Sequence, residues 1–106
     1  KTQSQDLQQY ARLLNLMIHF EMGNTFVLKY AVDSTRRFLN KHKQLKPLEQ
    51  VVLRFFSRIC NAPEAEFSRL FQYLYSDLLE SDPPLASPEV LDYLNFDHWI
   101  KLNLKK

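Results

Sequence analysis

The chain has 106 residues, 45% of them hydrophobic and 25% charged, with a net charge of +2. That is enough for one domain spanning residues 1–106 with its own core, and too little for two. A single Gly leaves no Gly-rich phosphate loop, and a single cysteine, Cys60, leaves no internal disulfide and no multi-cysteine zinc site.

Helical periodicity runs through the whole chain. Leu7, Tyr10, Ala11, Leu14, Met17 and Ile18 recur at three- and four-residue spacing, which predicts a first helix from about Ser4 to Met22. Gly23 stops it, since only Gly enters the left-handed C′ conformation without strain, and Asn24 or Thr25 caps the next helix. That second helix should run from Thr25 to His42, with Val27, Ala31, Ser34 and Phe38 on one stripe and Leu28, Val32, Thr35 and Leu39 on its neighbour.

Pro47 suits the first turn of a third helix, to about Asn61, whose stripe is Leu48, Val51, Val52, Phe55 and Ile59. A fourth follows Asn61-Ala62-Pro63-Glu64 and carries Phe67, Leu70, Phe71, Leu74 and Leu78 to about Ser81. Asp82-Pro83-Pro84 is the strongest break, because each proline excludes helix for itself and its predecessor. Ser87-Pro88-Glu89 reads as cap, first helical residue and first-turn acid of a fifth helix, interrupted near Asn95.

The expected fold is therefore all-α, with about five antiparallel helices joined by short turns. Two architectures fit: an α-solenoid segment of stacked helical hairpins, or a compact bundle. The first helix favours the stack. Leu13, Leu16 and Phe20 form a second apolar set on it, as though an upstream neighbour or a second copy should cover that side. The chain opens on Lys1 rather than Met, so a C-terminal fragment of a longer protein is expected. A lone cysteine, no signal-peptide pattern and no apolar run of the roughly 18–20 residues a membrane span needs point to the cytoplasm.

Charge is unevenly distributed. Lys29 to Arg58 holds eight basic residues against two acidic, and Ala62 to Asp97 holds eight acidic against one basic. Arg36, Arg37, Lys41, Lys43 and Lys46 form the densest basic segment. It could neutralise phosphates in a regulatory or nucleic-acid-associated role, but cations are favoured at a helix C-terminus in any case. A solvated or inter-repeat pairing role is therefore expected first, with nucleic acid and an acidic protein partner as lesser expectations. Tyr73 and Trp99 are the aromatics to weigh as partner anchors against a role in the core.

Reactive groups do not converge in the sequence. His19, His42 and His98 lack the i, i+4 pairing of helical metal sites, and no base neighbours Cys60. Asp77, Glu80 and Asp82 cluster at a helix end with no pocket implied. We expect no catalytic residue, metal or cofactor, and a scaffold that binds protein.

The strings Leu16-Met17-Ile18-His19-Phe20-Glu21-Met22-Gly23-Asn24 and Val32-Asp33-Ser34-Thr35-Arg36-Arg37-Phe38-Leu39, with the closing Tyr93-Leu94-Asn95-Phe96-Asp97-His98-Trp99-Ile100, resemble the C-terminal region of uncharacterised bacterial tetratricopeptide-like helical-repeat proteins. The resemblance covers residues 10 to 102. It implies an α-solenoid with a scaffolding role and supplies no catalytic residue. Odd-numbered helices begin about 40 residues apart, longer than the tetratricopeptide unit of roughly 34.

Overall fold

The computed structural model describes residues 4–105, with side chains from Leu7 onward; Lys1, which carries the expectation of a fragment, lies outside them. Helix α1 spans Ser4–Glu21. It ends because Gly23 takes φ 74°, which lets its N–H donate to the Phe20 carbonyl at 3.0 Å. Asn24 then caps α2 (Thr25–Lys41), its side-chain oxygen accepting from the Val27 N–H at 3.1 Å.

The end of α2 repeats the device without glycine. Lys43 adopts φ 56°, and the Gln44 N–H donates back to the Leu39 carbonyl at 2.8 Å. Pro47 opens α3 (Pro47–Asn61) as expected. The fourth element is less regular than its stripe implies. A 3-10 turn at Glu64–Glu66 leads into α4 (Phe67–Tyr75), which continues as a π-helical turn over Ser76–Glu80.

After a cis Asp82–Pro83 bond, the Ser87 hydroxyl caps α5 (Pro88–Leu94) by accepting from Val90 N–H at 3.2 Å. Asn95 at φ 54° separates α5 from α6 (Phe96–Leu104), so the expected interruption is a full break and the fifth helix is two. Asn tolerates the left-handed region better than most residues.

Of the two expected architectures, the bundle is the one adopted. In an open stack of helical hairpins each repeat meets only the repeats beside it, so a first helix does not reach a fifth. Here α1 packs on α5, and α4 on α6, so the two ends of the chain meet. Glu21 at the end of α1 accepts from Trp99 Nε1 at 2.8 Å and from Asn103 Nδ2 at 3.2 Å, both on α6. A radius of gyration of 13.1 Å matches the roughly 13 Å of a closed domain of this length.

The closure is aromatic. Phe20, Phe55, Phe56, Phe71 and Phe96 surround Trp99 with ring centroids 5.0 to 6.4 Å away, mostly edge to face. Such pairs add about 0.5–1.5 kcal/mol each beyond the area they bury. The rings come from four helices, α1, α3, α4 and α6, and all four meet at the indole.

Candidate functional site

The inner and outer faces of α1 are the reverse of the sequence expectation. Leu13 and Leu16 are fully buried within the chain, and Phe20 stacks against Phe67, Phe71 and Trp99. Leu13 and Leu16 belong to the core and are not available to a partner, and Phe20 packs against that core, partly buried. The reason is closure: α1 packs on α2, α3 and α5, and α6 meets its C-terminal end at Phe20 and Glu21. Trp99 is corrected in the same way, since only 9% of it is exposed and its N–H is engaged by Glu21.

From the main stripe, only Tyr10 and Met17 turn inward. Leu7, Ala11, Leu14, Ile18 and Met22 stay exposed, with Ile18 at 48% and Met22 at 69%. Leu7, Ala11, Leu14 and Ile18, spaced by four, three and four residues, lie along one side of the helix, and Met22 follows in the turn just past its end. Helix α1 does have two apolar faces; the uncovered one is the other one.

Helix α2 continues this surface. Its stripe of Leu28, Val32, Thr35 and Leu39 is buried, whereas Val27, Ala31, Ser34 and Phe38 border an open groove of about 810 Å³ shared with α1. Tyr30 rises from that groove at 71% exposure and Phe26 stands nearby in sequence at 87%. Arg12 crosses it, its guanidinium carbon 3.5 Å from the centre of the Phe38 ring, which in turn lies 4.4 Å from the His42 ring.

The basic segment is divided by the fold. Arg36 points toward α3 and donates to the Ser57 hydroxyl at 3.2 Å, with Asp33 at 3.8 Å. Arg37 and Lys41 are exposed along α2, while Lys43 and Lys46 sit on the α2–α3 turn. Arg36 is instead gathered with Tyr73 and with three arginines outside the dense basic segment. Arg54 and Arg58 from α3, Arg69 from α4, and Tyr73, 53% exposed, border a second open groove of about 840 Å³. The signal was present as two i, i+4 pairs, Arg54/Arg58 and Arg69/Tyr73, each on the wet side of its helix.

A smaller recess of about 210 Å³ brings together Cys60, His19 and Glu64, which are far apart or unremarked in the sequence. Cys60 is half-buried, and its thiol makes only a weak 4.0 Å contact to the Thr25 carbonyl. Burial pushes the thiol pKa up, against a smaller pull downward from Lys29 and with a push from Asp33. A nucleophilic cysteine needs the opposite shift. The Nδ1 of His19 is buried without a hydrogen-bond partner, so neither the thiol nor the carboxylate engages that nitrogen. Among the described residues, no three His, Cys, Asp or Glu side chains converge to hold a metal, and no helix is long and apolar enough to cross a membrane.

No protein-family model matches the chain, and comparison with curated proteins and with solved structures gives no match.

Proposed function

We propose that this domain is a non-catalytic, cytoplasmic interaction module that receives a helix of a protein partner along the outer face of α1. The observation that carries the reading is the exposed row Leu7, Ala11, Leu14, Ile18 and Met22. A four-three spacing of apolar groups is the seam by which helices pack side by side. Covering one such side chain fully contributes roughly 1.5–3 kcal/mol. Phe26 and Tyr30 at the end of the same hairpin add rigid aromatic area of the kind that anchors interfaces.

The relation to bacterial tetratricopeptide-like scaffolds belongs to this reading. It is a relation in role, through helix–helix recognition, and it allows an upstream helix of a longer parent chain to be the one received. The nucleic-acid reading has less support, because Arg36 turns to Ser57 while Lys43 and Lys46 occupy a turn.

Photo-crosslinking in cells from position 18, with position 50 on the exposed side of α3 as control, tests the proposal. The expected result is a protein adduct from position 18 that disappears in a Leu14→Asp background whose thermal unfolding is unchanged. No adduct, or equal adducts from both positions, would reject it.

A further inference from the structure

The groove between α3 and α4 has a charge pattern that calls for a ligand. Arg36, Arg54, Arg58 and Arg69 border it; Glu66, the one carboxylate in the lining, lies 3.6 Å from Arg69, and Asp33 lies 3.8 Å from Arg36. Among the described residues, no carboxylate comes within ion-pair range of Arg54 or Arg58. Both are i, i+4 neighbours on α3, where like charges repel. An arriving anion relieves that repulsion and gains bidentate contacts that a guanidinium makes better than an ammonium.

The rest of the lining narrows the ligand. Ala62, Pro63 and Leu70 add apolar surface, and the Tyr73 ring adds a flat one. The space, about 840 Å³, lies within the ~300–1,000 Å³ of sites that hold whole ligands, and exceeds what one ion fills. The positive field is also short. Asp77 lines the recess adjoining Arg54 and Arg58, and Glu64 precedes Glu66 in the 3-10 turn. Carboxylates on the adjoining surfaces repel a long polyanion more than a few residues of acidic peptide.

We propose that this groove binds a short acidic peptide segment of a partner protein, its carboxylates on the arginines and one apolar side chain on the Leu70–Tyr73 surface. The site shares no residue with the outer face of α1 and stands independently of it.

Fluorescence anisotropy with a labelled peptide of alternating glutamate and leucine tests the assignment. Wild type should bind it with an affinity that falls as salt rises. Arg54→Ala/Arg58→Ala should weaken binding about tenfold or more, the loss expected for two charge-assisted contacts. Lys41→Ala/Lys43→Ala should leave binding unchanged, and a glutamine–leucine peptide should not bind. Both variants change exposed residues, and circular dichroism melts confirm that they fold. The assignment is overturned if wild type ignores the peptide, or if the arginine variant binds as well as wild type. Tighter binding of a single-stranded oligonucleotide, or arginine-dependent self-association in place of peptide binding, overturns it too.

Discussion

The two faces of α1 have similar apolar content and opposite fates. Leu13 and Leu16 are sealed in the core and Phe20 is held by rings from α4 and α6, whereas Leu7 and Leu14, each 38% exposed, and Ile18, 48% exposed, are only partly covered on the same helix. Apolar character alone therefore does not decide what is core. What decides is whether another element can return to that side. Here Trp99 and Asn103 do so by fastening α6 to Glu21.

Removing the fastener should have the largest effect. Trp99→Ala empties the centre of the aromatic cluster, and about 3–5 kcal/mol of stability should be lost in urea unfolding. If the loss is under 1 kcal/mol, the ring cluster is not what closes the bundle. Glu21→Ala should cost about 1–2 kcal/mol, because it leaves the indole N–H and the Asn103 amide without their shared acceptor. A double variant with Trp99→Phe should then lose less than the sum, since the two groups are coupled.

Much of the outline is legible in the residues. Gly23, Pro47 and Ser87-Pro88 mark helix ends by their backbone chemistry alone, and each falls where expected. The choice of face on α1 is not legible, because both stripes obey the helical period and the deciding contact spans 78 residues. The arginine groove is hidden for a similar reason: its charges are spaced over α2, α3 and α4, and only packing brings them together. Lys43 in a left-handed turn is likewise invisible to a reading that looks for glycine there.

That turn gives a smaller, opposite-signed test. Lys43→Gly should raise stability by about 0.5–1 kcal/mol, since glycine adopts φ 56° without the steric cost a lysine bears. A loss instead would mean that the Lys43 side chain supports the fold.

The smallest effect concerns Cys60. Its thiol pKa is raised in the folded state, so the unfolded chain loses that proton first as pH increases. Stability from this group is fully present below the ordinary thiol pKa and declines as pH rises through the raised one. Cys60→Ala should flatten that alkaline decline, and iodoacetamide should modify native Cys60 more slowly than an unstructured cysteine at neutral pH.

The claim that one face of α1 closes the fold while the other is left for a partner is tested most directly by placing the same charge on each. Leu16→Asp and Ile18→Asp differ by two positions on one helix. Urea unfolding should find Leu16→Asp unfolded or destabilised by more than about 3 kcal/mol, and Ile18→Asp within about 0.5 kcal/mol of wild type. Equal losses in the two variants, or the reverse order, would contradict the account.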